Sequence, residues 1–132
     1  MRKKIKVKHT HRYTNEKAVL YDGDALCNEF SEYLELNYME EDKTKVTMFI
    51  YENHMEIKRF GEVLSSLDMK PKKKTKNPMK SAYGTFEIEV YTYDFKNEGN
   101  YIMVEYDVEN GTKEKDGFKI EIEIKEEGYE FH

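Results

Sequence analysis

Residues 83–112 read YGTFEIEVYTYDFKNEGNYIMVEYDVENGT, two runs in which apolar and polar residues alternate around a polar, glycine-bearing break. A period of two is the signature of an extended strand with one buried and one wet face. Phe86, Ile88, Val90 and Thr92 share one such face, and Ile102, Val104, Tyr106 and Val108 share the next. Centring the loop on Glu98 pairs Thr92 with Val104, Val90 with Tyr106 and Ile88 with Val108. Residues directly opposed in an antiparallel pair point to the same side, and here every apolar face coincides. Asn97-Glu98-Gly99 supplies the short connection.

The same arithmetic holds twice more. A turn at Asn53-His54 pairs Ile50 with Ile57 and Met48 with Arg59, joining "TKVTMFIY" to "MEIKRF". Near the C-terminus, Val108 with Phe118 and Tyr106 with Ile120 align a third pair, across a loop holding Asn110-Gly111 and Asp116-Gly117. "KKIKVKHTHRY" reads as a strand with Ile5, Val7, His9 and His11 on one face. Val63, Leu67 and Met69 share a face further on. Leu36, Tyr38 and Glu40 alternate as in a strand. Residues 24–34 fit either a strand or a short helix capped by Asp24 and presenting Leu26, Phe30, Tyr33 and Leu34. Eight to ten short strands in meander order must remove their edges, so the expected architecture is an all-β, antiparallel up-and-down barrel, with a two-sheet sandwich as the alternative.

Composition sets outer bounds. The 132 residues suffice for one domain, 1–132, with one core. Charged residues make up 37% of the chain and aromatics 14%; the aromatics argue against disorder, and the modest apolar share suits a sheet with one solvated face. A net charge of −5 offers no global attraction to nucleic acid. Cys27 is the only cysteine, so no internal disulfide can form. The basic N-terminus lacks the apolar stretch of a signal peptide, and no run reaches the ~18 apolar residues of a membrane span. A cytoplasmic protein without a membrane partner is expected.

The ordered set Leu36-x-Tyr38-x-Glu40, Arg59-Phe60-Gly61-Glu62, Tyr83-Gly84-Thr85-Phe86 and Glu105-Tyr106-x-Val108 before Asn110-Gly111 resembles the YwiB-like family of small bacterial proteins of unknown function. The likeness runs from about residue 3 to about residue 126. It implies a lipocalin-like (calycin) barrel and no activity, because fold does not dictate function.

Arg59 falls on the apolar face of its strand, and a guanidinium inside a barrel must be paired. Glu40, on the face of Leu36 and Tyr38, is its natural partner. One reading makes Arg59 the receiver of an anionic headgroup, with Glu40, Tyr38, His9, His11 and Tyr106 as the polar groups of an otherwise apolar pocket. The plainer reading is a structural ion pair at the barrel mouth. His9 and His11 lack the further ligands that a metal needs, so neither a metal nor a cofactor is expected. Cys27 and Ser65-Ser66 have no base or oxyanion site in sight, and no catalytic residue is assigned. The six lysines of 70–80 carry no interleaved aromatics, which suits a solvated loop better than a nucleic-acid surface. Register arithmetic sends Phe49, Tyr51, Phe60, Tyr91, Tyr93, Tyr101 and Met103 to the outer face, with Tyr93 opposite Met103 and Phe95 opposite Tyr101. A cluster of that kind suits a covering tail or a homodimer. Two functions follow: an intracellular barrel that binds a small, partly apolar or anionic ligand, or a non-catalytic interaction module that works through its outer aromatics.

Overall fold

The computed structural model describes residues 1–109 and 116–125. Ten strands follow one another: β1 (Arg2–His11), β2 (Lys17–Glu29), β3 (Tyr33–Met39), β4 (Lys45–Tyr51), β5 (Met55–Phe60), β6 (Leu64–Met69), β7 (Lys74–Ser81), β8 (Gly84–Asn97), β9 (Tyr101–Glu109) and β10 (Asp116–Lys125). Each pairs antiparallel with its neighbours in sequence, and β1 closes on β10 from Lys4↔Lys125 to His11↔Phe118. The sheet is a closed meander barrel. Closure leaves no terminal strand edge, which answers the problem a charged, strand-rich chain of this length faces.

The inward set is the alternating one. Ile50, Ile57, Val90, Val104, Tyr106, Ile120 and Ile122 all lie in the buried core, joined by Ile5, Val7, Leu36, Met48 and Met69. Lysines and glutamates alternate with them on the outside. Residues 24–34 are not helical: Leu26 and Phe30, set four apart as on a helix face, are both half-exposed, while Ala25 and Cys27 carry the buried face of β2.

All three expected hairpins are displaced by two residues in pairing, with their faces right everywhere except at the tip of β8–β9. Ile50 faces Met55 and Met48 faces Ile57 because the turn is Glu52-Asn53, where the Tyr51 N–H donates to the His54 carbonyl at 2.9 Å. Arg59 therefore stands opposite Val46, not Met48. Tyr106 faces Phe118 and Ile120 faces Val104. Val90 faces Val108, and Thr92 faces Tyr106. A displacement of two preserves every face, because the side-chain period is two; alternation alone cannot detect it. The β8–β9 pair adds a bulge at Tyr93, between Thr92↔Tyr106 and Asp94↔Glu105. The turn at Glu98 to Tyr101 shifts the tip by an odd number, and the bulge takes one residue back. Thr92 and Phe95 thus both face the core, and Phe95 packs against it instead of facing Tyr101 outside. The Asn110-Gly111 turn and the C-terminal tail lie outside the described residues.

Candidate functional site

One end of the barrel collects the C-terminal ends of β1, β3, β5, β7 and β9 with the N-terminal ends of their partners. Arg59, next to last in β5, reaches Glu40 just past β3, with Nη1 donating to Oε1 at 2.6 Å. Two turns place the pair. In the turn after β3, the Glu40 N–H donates to the Thr44 carbonyl and Lys43 takes a left-handed φ of 68°. Asp42 Oδ1 accepts from the Thr44 N–H at 3.0 Å; its bonds to Thr44, and then the Arg59 charge, hold its carboxyl below the usual value. After β5, Gly61 lies so close to this turn that a Cβ there would meet Thr44 Oγ1 at 2.5 Å. Only glycine permits that approach.

Arg59 and Glu40 are partly shielded, with 31% and 16% of their side chains exposed. Among the described residues, Glu40 is the only hydrogen-bond partner of Arg59, so most of its planar fork of five donors is uncommitted. Its charge is felt inward. Burial raises the Tyr38 phenol above its ordinary value and pushes Tyr106 up to about 12, and in both cases Arg59 opposes the rise. His9 is pushed below its usual value by burial first and by Arg59 and His11 next. The Tyr38 hydroxyl and Thr92 Oγ1 are buried with no hydrogen-bond partner among the described residues. Tyr21 stacks on Tyr38 at 4.4 Å, and His9 stacks on Phe118 at 4.6 Å. Phe86, on the face of Ile88 and Val90, is 52% exposed at this end, and Met79, Val108 and Phe118 are only partly buried. The opposite half is sealed by Ile5, Ile50, Met55, Met69 and Ile102.

Arg59, Glu40, Tyr38, His9 and Tyr106 are therefore brought to one end. His11 is committed elsewhere: its Nδ1 lies 3.3 Å from the N–H groups of Tyr13 and Thr14, and Nε2 lies 3.4 Å from Asp116. It organises the turn after β1. Sequence reasoning missed Tyr21, Thr92, Phe86 and Phe118. Phe86, Thr92 and Phe118 were legible as inward-facing, whereas Tyr21 follows a bulge at Leu20 that breaks the alternation.

The outer aromatics do not form one patch. Tyr51 and Phe49 group with Tyr33, and Tyr51 stacks on His54. Tyr91 and Tyr93 meet edge to face beside Arg12, which lies 4.4 Å over the Tyr93 ring. Tyr101 donates to Glu121 at 2.6 Å, and Phe60 pairs with Leu64 at the barrel end. Met103 is buried instead of presented, flanked by its cross-strand partners Glu121 and Lys96. Tyr93 sits in the bulge and faces no Met103. Its hydroxyl donates to Asp107, which also accepts from Arg12 at 2.7 Å and Tyr13 at 2.8 Å.

Among the described residues no group of three or more His, Cys, Asp or Glu side chains could hold a metal ion. Among the described residues no helix is long and apolar enough to cross a membrane.

Fold and site together define a small, closed, ten-stranded antiparallel β-barrel that is sealed by apolar side chains in one half and carries polar and less buried side chains at one end. The chain belongs to the DUF1934 family, a domain of unknown function whose model matches residues 4–122. The crystal structure of ywiB protein from Bacillus subtilis is similar in fold, with a TM-score of 0.68 at 13% sequence identity over 92% of this chain and 90% of that one. No curated protein matches the sequence.

Proposed function

We propose that the barrel is a non-catalytic binder that takes a small, partly apolar anion at the Arg59 end. The observation that carries this reading is a guanidinium with one engaged nitrogen, one-third exposed, at the same barrel end as the half-exposed Phe86 and the partly buried Met79 and Phe118. A carboxylate or similar headgroup would take the uncommitted donors of the fork, and its apolar part would lie against Phe86, Met79 and Phe118. The Tyr38 hydroxyl offers a donor that no group among the described residues uses. Glu40 limits affinity, because it already neutralises much of the arginine charge.

A fluorescent fatty-acid probe tests the reading. Wild type is expected to bind one equivalent saturably, Arg59→Met to lose the binding while keeping its strand spectrum, and the corresponding uncharged alcohol probe to bind weakly. Equal binding by wild type and Arg59→Met, or no saturable binding at all, would overturn it.

A further inference from the structure

Two ladders of the barrel are incomplete, and only one is repaired. Between β6 and β7 the backbone pairs only at Leu64↔Lys80 and Ser65↔Met79. Side chains stitch the rest: Asn77 Oδ1 accepts from the Asp68 N–H at 2.7 Å, and Thr75 Oγ1 donates to the Asp68 carbonyl at 2.6 Å. Between β2 and β3 the ladder runs from Glu29↔Leu34 to Leu26↔Asn37 and stops. From there to Lys17, β2 is held by β1 alone. Where pairing would continue, the Tyr21 ring lies against Tyr38 and its hydroxyl donates to the Asp24 carbonyl. A Cβ at Gly23 would meet that hydroxyl at 3.0 Å. One carbonyl of the edge is thereby capped. Among the described residues no other donor or acceptor answers the backbone of residues 18–23 on that side.

The gap is a cleft of about 730 Å³ between residues 19–22 of β2 and residues 39–42, the end of β3 and the turn after it. Its lining contains four carboxylates, those of Asp22, Glu40, Glu41 and Asp42, and no lysine or arginine. Glu40 is held by Arg59 and Asp42 by Thr44, but Asp22 and Glu41 have no partner among the described residues. Val19 and Met39 add half-exposed apolar surface. An unpaired strand edge recognises an extended backbone, and the side chains around it select what that backbone carries.

We infer that the β2 edge at this seam is a strand-addition site for an extended basic segment of a partner protein, one that alternates lysine or arginine with apolar residues. The backbone would pair with residues 18–23, the cations would meet Asp22 and Glu41, and the apolar side chains would cover Val19 and Met39. The inference stands apart from the Arg59 reading and needs no ligand there.

The test uses the full chain and a fluorescein-labelled peptide of about nine residues alternating Lys and Val, long enough to span the free edge. Saturable binding is expected, with the Glu/Val counterpart about tenfold weaker or worse. Two further peptides carry N-methyl groups on alternate amides, in the two possible frames, and at least one must lose binding because it lacks the N–H groups that face β2. Hydrogen exchange at those amides of residues 18–23 that face the seam and not β1 is expected to slow when the Lys/Val peptide binds. Asp22→Lys combined with Glu41→Lys should weaken that peptide with no change in melting temperature. Full binding by both methylated peptides would reduce the contact to charge attraction and overturn the inference. So would no binding of the Lys/Val peptide, or exchange already slow without it at those amides of residues 18–23 that face the seam and not β1, which would mean that the chain itself or a second copy covers the edge.

Discussion

Replacing Arg59 by Met removes the only partner that the Glu40 carboxylate has among the described residues and leaves a carboxylate whose side chain is only 16% exposed. Breaking a fully buried pair costs about 3–5 kcal/mol, and a fully exposed pair is worth about 0–1. Arg59 itself is 31% exposed, so the pair lies between these limits. Solvent screening places the expected loss at about 1–2 kcal/mol, most of it the cost of the stranded acid. For a chain of this size each kcal/mol moves the melting temperature by roughly 3–6 °C. Urea melts of wild type, Arg59→Met, Glu40→Gln and the double variant form the assay. The double variant is expected to recover at least about half of the Arg59→Met loss, because it has no charge left to strand. Additive losses in the cycle would show that the 2.6 Å contact carries no coupling and would refute the reasoning. The cycle also separates structure from binding: a double variant that regains stability but still fails to bind the fatty-acid probe assigns the guanidinium a role beyond its salt bridge.

Gly117→Ala should destabilise by about 2 kcal/mol, read as a lower urea midpoint, because the new Cβ would collide with the Asp107 carboxylate and lie 2.7 Å from the Tyr13 ring, breaking a three-donor cluster. His9 has a depressed folded-state pKa, so the stability it contributes is complete above its unfolded value near 6.5 and is lost as pH falls from there toward the lower folded value. Urea midpoints at about pH 7.5 and about pH 5 should therefore differ more in wild type than in His9→Phe, which keeps a ring against Phe118. Lys72→Gly relieves a left-handed φ of 61°, a gain larger than the cost of the extra freedom of unfolded glycine, and should stabilise by up to about 1 kcal/mol, read as a slightly higher melting temperature.

The hairpins show how far alternation carries. It assigned Ile50, Ile57, Val104, Ile120 and their neighbours to one interior, and the barrel holds them there. It could not say whether Ile50 meets Ile57 or Met55, because both lie on the same face and only the turn decides between them. At Tyr93 and Leu20, bulges break the period itself, so Phe95 turns inward and Tyr21 swings into the β2–β3 seam. Neither is visible without knowing which strands meet. The Arg59–Glu40 contact was legible for a different reason: two opposite charges on inward faces of a small barrel have few other ways to be satisfied. His11 also faces inward by alternation, yet the turn after β1 claims its ring. The Leu26–Phe30 spacing fitted a helix by coincidence, since a strand places residues four apart on one face as well.

The barrel's two ends differ for a reason that starts in the strand count. Interior width grows with the number of strands, and eight already leave room for side chains to fill or for one small ligand. Ten strands must fill a wider section. In the sealed half, Ile5, Ile50, Met55, Met69 and Ile102 do so without polar atoms. Toward the other end the filling passes to Tyr38, Tyr106, Phe118 and Arg59, groups with long reach and a polar tip or a flat face. Among the described residues, that solution leaves unmet polar groups where the sealed half has none. The Tyr38 hydroxyl and Thr92 Oγ1 stand on β3 and β8, half the ring apart, so one cannot satisfy the other by lying in the same ladder. A barrel selected only for stability would replace them by Phe and Val, since a buried hydroxyl without a partner costs about 1–3 kcal/mol. Tyr38→Phe should accordingly keep or raise the melting temperature, while lowering the affinity for any probe whose acceptor reaches that hydroxyl. If Tyr38→Phe instead destabilises the fold, the hydroxyl has a structural partner, and the case for its waiting on a ligand fails.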